Sequence, residues 1–193
     1  MDFDVIVIGG GSAGYAAANS AQSKGAKVAI IDKGPLGGLC ILRGCMPTKT
    51  ILRSSDIFSL FQRAKEFGLS VDNPSADLSL INDRKVRLID EFASYRIQQL
   101  NDPKFTLIKN NASFLSPHKI KVGNSVLVAK NFIIATGSTV AEFPIPGLTE
   151  SGFLTSDDIL ELRTIPESMI VLGAGPVAVE LAQFFCRIGT QTT

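Results

Sequence analysis

The chain has 193 residues, a length that allows one complete domain and part of another. Hydrophobic residues make up 45% of it, which is enough for a buried core. Its 19 basic and 18 acidic side chains leave a net charge of +1, which gives no electrostatic case for a nucleic-acid or membrane-surface partner. No signal peptide or membrane span is recognisable, so we expect a cytoplasmic protein. In that compartment a close cysteine pair is more often catalytic or metal-binding than structural.

The first part of the chain is typical of a strand, a glycine turn, a helix and a second strand. β-Branched residues predict a buried strand over 3–8, and an alanine-rich stretch predicts a helix over 15–24. The second strand is predicted over 27–31 and ends at Asp32. This order, within about 30 residues, is that of a βαβ crossover.

Further along, the sequence predicts helices, a group of short strands and a second strand–glycine–helix unit. The predicted elements are helices over 45–67 and 79–100, short strands within 105–134, a strand over 169–172 and a helix ending near 188. On the longer helix, Val86, Ile89 and Phe92 form one apolar stripe. The basic cluster at 84–87 lies largely off that stripe, and we interpret it as a solvated helix face rather than a phosphate-binding patch.

Gly9, Gly11 and Gly14 form the pattern Gly-x-Gly-x-x-Gly between the first predicted strand and helix. Such glycines permit a tight turn, close approach of backbone to a pyrophosphate and close helix packing, and the helix N-terminus favours the negative charge. Asp32 is placed to accept hydrogen bonds from a ribose. A purely structural turn is the alternative, but the full pattern predicts dinucleotide binding. The predicted contacts are Gly9, Gly11, Ser12, Ala13, Gly14, Asp32, Lys33 and Gly38.

A second glycine turn repeats the pattern near the other end of the chain. Gly173 and Gly175 are followed by Ala178, a permitted small residue in the third place. The turn follows a predicted domain boundary, which Pro144, Pro146 and Gly147 mark. We predict a second nucleotide site here, with a mere structural turn as the alternative.

Two cysteines, Cys40 and Cys45, stand five positions apart in a glycine-rich segment. Pro47 suits the first turn of a helix, so Cys45 is expected at a helix N-terminus. There the helix dipole, together with Lys49 one turn further on, would favour a thiolate. A cysteine pair beside a nucleotide site predicts electron transfer between a cofactor and sulfur.

Zinc binding is the competing interpretation of the cysteine pair, but a structural zinc usually has four ligands. The other candidate ligands are His118, expected in a surface loop, and Cys186, expected to pack as a small apolar residue on the second module's helix. Because they stand in different predicted elements, we predict no metal site. Two unrelated buried cysteines are the remaining alternative.

These motifs, in this order along the whole chain, resemble the class I pyridine nucleotide–disulfide oxidoreductases. That family includes dihydrolipoamide dehydrogenase, glutathione reductase and mercuric reductase. The motifs are Gly9–Gly14 with Asp32, the segment 37–49, Ala135-Thr136-Gly137, and 173–180. The resemblance implies an α/β fold: a Rossmann-like FAD-binding domain with a three-layer ββα arrangement, its first segment at 1–148, then the start of a Rossmann-like NAD(P)-binding domain at 149–193.

The resemblance also implies roles for individual residues. NAD(P)H would bind at the second module and pass hydride to FAD, which would exchange electrons with the Cys40–Cys45 disulfide. Cys40 is similar to the interchange thiol that meets a small-molecule disulfide or related substrate, and Cys45 to the flavin-side thiol. Lys49 and Glu180 are similar to the family's ion pair beside the flavin. Thr136 and Gly137 would be backbone neighbours of FAD.

Some positions depart from the family pattern. Arg43 lies between the cysteines, where it would bias an acidic substrate or stabilise a thiolate. Thr48 replaces a common serine, and Asp32 replaces the more usual glutamate. Pro176 stands where glutathione reductases carry an aromatic residue, which favours the dihydrolipoamide dehydrogenase and mercuric reductase types. The family's C-terminal His-Glu pair and dimer domain are not in this stretch, so we expect the front part of a homodimeric enzyme, inactive alone.

Two other functions fit the same motifs. One is a flavin oxidase or transhydrogenase of the same fold, in which electrons bypass the thiols. The other is a non-catalytic flavin-binding redox sensor with a regulatory disulfide.

Overall fold

The structure is a computed structural model that describes residues 2–141 and 144–193. The chain forms two compact units. The first unit contains the residues up to Leu42 together with Asp90–Thr139. The second contains Arg43–Ile89 together with Val140–Thr193. No helix among the described residues is both long enough and apolar enough to cross a membrane.

The first unit is built on one sheet of six strands. They are β1 Phe3–Ile8, β2 Val28–Ile31, β3 Thr106–Ile108, β4 Ala112–Ser116, β5 Lys119–Val122 and β6 Ser125–Ile134. Their order in the sheet is β3-β2-β1-β6-β5-β4. β3, β2, β1 and β6 run parallel, whereas β6, β5 and β4 are joined antiparallel. The helices of this unit are α1 Ser12–Ser23, α2 Gly38–Leu42 and the second part of the long helix α4 Leu78–Leu100.

The two faces of the parallel strands carry separate hydrophobic cores, because successive side chains of a strand point to opposite faces. On β1, Ile6 belongs to the core that contains Ile120 of β5. Its neighbour Val7 belongs to the core that contains Ala18 of α1 and Leu100. The unit thus has a helical layer, a parallel sheet and an antiparallel β layer, which confirms the predicted α/β fold class and its Rossmann-like ββα arrangement.

The second unit is mostly helical. Its elements are α3 Cys45–Gln62, a 3₁₀ turn Ala64–Phe67, the first part of α4 Leu78–Leu100, α5 Ser156–Ile159, β7 Ser168–Met169, α6 Pro176–Ile188 and β8 Gln191–Thr192. Phe184 and Phe185 of α6 are fully buried and join Ile51 of α3 in one core. β7 and β8 pair in parallel. The predicted strand over 169–172 is therefore shorter than expected and begins earlier, although the Val171 N–H continues the ladder to the Thr193 carbonyl.

The long helix predicted over 79–100 is confirmed as α4, but its apolar stripe is only partly buried. Ile89 is buried, whereas Val86 and Phe92 are exposed. Lys85, interpreted as part of a solvated face, is 3% exposed. The Lys85 ammonium donates to the Leu160 carbonyl and forms an ion pair with the Glu161 carboxylate. A buried lysine is stable when its charge has such partners, and single-sequence periodicity does not detect them.

Candidate functional site

The first glycine turn lies where the parallel strands of the first unit end. Gly9 follows β1, and Ala135 follows the neighbouring strand β6, whose register pairs Ile8 with Ile134. The Ala135 N–H donates to the Ile8 carbonyl over 2.8 Å. Thr136 comes next and is exposed at this carboxyl edge, as is Gly137. In open α/β sheets this edge is where nucleotides bind, so the structure brings these predicted contacts to one edge.

The glycines of this turn are packed so closely that side chains would collide. A Cβ placed on Gly9 would lie 2.2 Å from the Ala135 carbonyl oxygen, and one on Gly14 would lie 1.8 Å from the Gly9 carbonyl oxygen. A Cβ on Gly38 would lie 2.4 Å from the Gly11 Cα. Gly38 is the first residue of α2, the helix that carries Cys40. Backbone therefore meets backbone around the turn, which is the arrangement that lets a pyrophosphate approach main-chain amides.

The N-terminus of α1 opens beside this turn. Gly11 is the N-cap residue, with φ −67° and ψ −170°, and it makes no side-chain capping hydrogen bond. Ser12 and Ala13 form the exposed start of the first helical turn. Their amides belong to the group of helix N–H donors that have no intrahelical acceptor. The residues present thus fit the phosphates of a dinucleotide such as FAD.

Asp32 follows β2 and holds the glycine turn in place. One oxygen of its carboxylate accepts the Gly10 N–H over 2.6 Å, and the other accepts the Gly34 N–H over 2.7 Å. Each carboxylate oxygen has a second lone pair, so a ribose hydroxyl can still donate to it. Lys33, the next residue, is exposed. The structural role of Asp32 was not foreseen from the sequence, which suggested only ribose binding.

The second glycine turn has the predicted helix but a different packing. Gly175 caps α6, Pro176 occupies its first turn, and Gly189 ends it in the left-handed region at φ +112°. Gly173 also has a positive φ, of +117°. Among the described residues, a Cβ on Gly173 or Gly175 would meet nothing within 4 Å. The positive φ explains glycine at position 173, whereas packing among the described residues does not explain Gly175.

The two cysteines lie on successive helices of the chain. Cys40 is half-buried in α2, and Cys45 is the exposed first residue of α3, as its expected place at a helix N-terminus requires. The Thr48 hydroxyl donates to the Gly44 carbonyl over 2.8 Å, and the Thr48 N–H donates to the same carbonyl over 3.2 Å. Buried Thr48 therefore fixes the peptide that directly precedes Cys45.

Lys49 and Glu180 form an ion pair between α3 and α6. These residues are 131 positions apart, and the resemblance implied that they pair. The Lys49 side chain is 58% exposed and the Glu180 side chain 31% exposed, so the pair adds little to stability. Its placement beside a flavin stays a prediction.

Arg43 also has a partner within the second unit. Its Nη1 donates to an Asp157 oxygen over 2.8 Å, and the two side chains are 58% and 33% exposed. Asp157 lies in the first turn of α5. No sequence signal indicated that Asp157 pairs with Arg43, because the two residues are 114 positions apart.

α5 is held at its start by a capping box. The Thr155 N–H and hydroxyl donate to an Asp158 carboxylate oxygen over 2.8 and 2.6 Å. The Asp158 N–H in turn donates to the Thr155 hydroxyl oxygen over 3.5 Å. These hydrogen bonds, the one from the Thr155 side chain first, lower the pKa of Asp158 below its ordinary value.

Two other residues considered from the sequence lie elsewhere. His118 is exposed in the turn between β4 and β5, as predicted. Cys186 is exposed, so the prediction that it packs in the core is wrong. α6 turns its apolar face inward through other residues, Leu181, Phe184, Phe185 and Ile188. Among the described residues no group of three or more His, Cys, Asp or Glu side chains could hold a metal ion.

Comparison with known proteins agrees with this geometry. The family described as pyridine nucleotide-disulphide oxidoreductase matches residues 3–193. A mercuric reductase of Staphylococcus aureus is 38% identical over 193 residues, which are all of this chain and 35% of that protein. A dihydrolipoyl dehydrogenase of Bacillus subtilis (strain 168) is 36% identical and matches 97% of this chain and 42% of its own length.

A solved structure shares the fold. The HOCl-induced flavoprotein disulfide reductase RclA from Escherichia coli superposes with a TM-score of 0.81 at 28% sequence identity. The match covers 98% of this chain and 41% of that one. The chain thus spans well under half the length of these relatives. It belongs to the pyridine nucleotide–disulphide oxidoreductase family.

Proposed function

We propose that this chain is the front part of an FAD-dependent, NAD(P)-linked disulfide oxidoreductase of the dihydrolipoamide dehydrogenase type. The observation that carries the proposal is the contact between Gly38 and Gly11. Gly11 belongs to the turn that fits a dinucleotide phosphate, and Gly38 begins the helix that carries Cys40. A nucleotide turn and a cysteine of a close pair are thus joined through direct backbone contact.

FAD, when bound, supplies a reversible acceptor for an electron pair. The chain's own residues bind and orient it. Amides at the start of α1 hold the pyrophosphate, Asp32 accepts from a ribose hydroxyl, and backbone groups at Thr136 and Gly137 lie along the same sheet edge.

The Cys40–Cys45 pair carries the electrons onward. Breaking its S–S bond would take up an electron pair and, with one proton from solvent, leave a thiol and a thiolate. Cys40 would then attack a disulfide substrate, forming a mixed disulfide and releasing one substrate sulfur as a thiol. Cys45, on the flavin side, would resolve the mixed disulfide, which re-forms the Cys40–Cys45 bond and releases the second substrate thiol. Cys45 opens α3, and Glu180 pairs with the Lys49 ammonium one turn further along the same helix.

The second glycine turn is proposed as the NAD(P) site, with Gly173 and Gly175 as its backbone contacts. In this scheme the FAD domain takes residues 1–148 in its first segment, and the NAD(P) domain starts at 149–193. The complete protein is proposed to be a cytoplasmic homodimer, in keeping with the family resemblance.

The substrate is proposed to be a small molecule that reacts with thiols. The named relatives include both mercuric reductases and dihydrolipoyl dehydrogenases, so a soft metal ion and a dithiol–disulfide substrate are both within reach of a cysteine pair. Pro176 favours these two types over the glutathione reductases, which carry an aromatic residue at this position.

The test is substrate reduction by the complete FAD-loaded protein with NADH or NADPH. We expect reduction of lipoamide or Hg(II) in the wild type and its loss in Cys40→Ser and Cys45→Ser alike. Turnover that persists in the double variant would show the thiol-independent oxidase or transhydrogenase instead. Flavin binding without turnover of any disulfide or metal ion would show the non-catalytic sensor.

A further inference from the structure

One arginine of the first unit carries a charge that no described residue balances. Arg96 lies on the part of α4 that belongs to this unit. Its Nε and Nη1 are buried, and neither atom has a hydrogen-bond partner among the described residues. No ion pair in that part of the chain involves Arg96. A cation in this state costs free energy, because burial removes water from it and no acceptor takes the place of that water.

An aromatic ring holds the Arg96 side chain in place. The guanidinium carbon of Arg96 lies 4.4 Å from the centroid of the Tyr15 ring on α1. A ring face attracts a guanidinium, but it leaves the N–H groups, which point outward in the plane of the cation, without acceptors. The contact with Tyr15 therefore orients the cation and does not balance its charge.

Arg96 is held beside the first glycine turn. The Tyr15 N–H donates to the Gly11 carbonyl over 2.8 Å, one helical turn into α1. On α4, Leu100 follows Arg96 by one helical turn on the same face. A Cβ on Gly10 would lie 3.3 Å from the Leu100 Cδ1. Two neighbours of Arg96 therefore contact the turn whose amides fit a pyrophosphate.

The turn itself holds a negative charge. The Asp32 carboxylate accepts the Gly10 N–H over 2.6 Å. A pyrophosphate bound here is an anion, and the Asp32 carboxylate would repel it unless a cation offset the repulsion. Lys33 is a cation next to Asp32 in the sequence, but it is exposed, so solvent screens its charge.

We propose that Arg96 is a further cofactor-binding residue, whose charge attracts the pyrophosphate of FAD to the glycine turn. This deepens the proposed function and rests on it, since the ligand is the FAD of that proposal. The anion balances the unpaired guanidinium, and the guanidinium offsets the charge of Asp32. The cost of an unpaired cation in the FAD-free protein is thus removed when the cofactor binds.

A structural role is the competing explanation. Gln99, three residues after Arg96, also has a buried atom, Oε1, without a partner among the described residues. A water molecule between the two side chains would satisfy both and make Arg96 part of the fold. The two explanations predict opposite effects on the FAD-free protein, because a hydrogen-bonded residue stabilises the fold and an unpaired buried cation does not.

The test compares Arg96→Met and Arg96→Lys in the complete protein after removal of FAD. Titration with FAD at low salt should show about tenfold weaker binding in Arg96→Met, and less than about threefold weaker binding in Arg96→Lys, which keeps the charge. ADP, which has a pyrophosphate but no flavin, should lose affinity for Arg96→Met by a similar factor. About 0.5 M salt should narrow the difference between Arg96→Met and wild type. The urea midpoint of FAD-free Arg96→Met should equal or exceed that of wild type.

Lys27→Met is the matched control. The Lys27 ammonium also lies over an aromatic ring, 5.1 Å from the centroid of Phe3, but at the opposite end of the parallel strands, where β1 and β2 begin. The substitution removes the same charge and should leave the FAD affinity unchanged.

Equal FAD affinity in wild type and Arg96→Met would overturn this inference and leave the proposed function standing. An equal loss of affinity in Arg96→Met and Arg96→Lys would also overturn it, because the charge would then play no part. A lower urea midpoint in FAD-free Arg96→Met would show the structural role instead. A wild-type protein that binds neither FAD nor ADP would overturn the proposed function as well.

Discussion

At the scale of single residues, the glycines of the first turn make room for different neighbours. Gly14 is required by the protein itself, since a Cβ there would lie 1.8 Å from the Gly9 carbonyl oxygen. Gly11 is not, because its φ is −67° and a Cβ there would lie at an ordinary 3.5 Å from the Gly38 Cα. Neither the backbone conformation nor the packing therefore requires glycine at position 11, which is consistent with its proposed place beside the cofactor phosphates.

Substituting these two glycines should separate folding from cofactor binding. Gly14→Ala should lower the free energy of unfolding of the flavin-free protein by about 1–3 kcal/mol, because its methyl group overpacks the turn. Gly11→Ala should change that free energy by less than about 0.5 kcal/mol. It should nevertheless weaken FAD binding by about tenfold or more, which is ~1.4 kcal/mol. Denaturant unfolding and flavin titration measure the two effects, and unchanged FAD affinity in Gly11→Ala would contradict the assigned role.

The place of a residue in the structure could be predicted where it depends on residues close by in the sequence. The glycine turn and the position of Cys45 at a helix start are of this kind, because they depend on neighbours within one turn. Asp157 could not be found in this way, because its partner Arg43 is 114 residues distant and an exposed ion pair leaves no periodic trace. The double hydrogen-bonding role of Asp32 was likewise invisible, since it depends on how the turn folds back.

At the scale of elements, the helix α5 has only four residues, too few for a helix to be stable by itself. Its stability therefore depends on the capping box at its start. The pKa of Asp158 is lowered by hydrogen bonds from Thr155, so its ionised form is the one that stabilises the folded state. This contribution is present above the ordinary pKa of 3.8 and is lost as the pH falls through the lower folded value.

Asp158→Asn should therefore lower the melting temperature at pH 6, and the difference from wild type should narrow as the pH falls below 3.8. Thermal unfolding, followed by circular dichroism between about pH 2.5 and about pH 6, measures this difference in melting temperature. Asp72→Asn, in an exposed loop, is the control and should show no such convergence. A difference that stays constant with pH would mean that the Asp158 charge does not hold the cap.

The long helix α4 shows what periodicity can and cannot predict. Its extent could be predicted because the helical pattern continues along the whole segment, and residues close by in the sequence end that pattern. Its buried face was not, because Lys85 is buried while Val86 is exposed. The partners of Lys85 come from the segment after α5, so only the tertiary structure makes a lysine acceptable there.

Lys85→Met should therefore destabilise the protein by about 1–3 kcal/mol, although methionine is more hydrophobic. The substitution keeps the side-chain bulk but leaves the Leu160 carbonyl without its charged donor. Val86→Ala, one position further on and 39% exposed, is the control and should change the free energy of unfolding by less than about 0.5 kcal/mol. Urea unfolding compares the two, and equal effects would show that the Lys85 contacts contribute nothing.

At the scale of the whole molecule, the strand–glycine–helix unit occurs twice. The first copy is packed into a sheet with a core on each face, and its glycines touch backbone. In the second copy, the strands β7 and β8 pair in parallel. The order of motifs was enough to predict the family. The grouping of Arg43–Ile89 with Val140–Thr193 into one compact unit was not predictable, because no local signal marks it.

We propose above all that electrons pass between a bound flavin and the Cys40–Cys45 pair. The decisive experiment is an anaerobic reductive titration of the complete FAD-loaded protein. We expect uptake of twice the electrons that the flavin alone accepts, with a long-wavelength charge-transfer band at the midpoint that Cys45→Ser abolishes. Uptake by the flavin alone, or a band that survives in Cys45→Ser, would show that the pair does not exchange electrons with the flavin in this way.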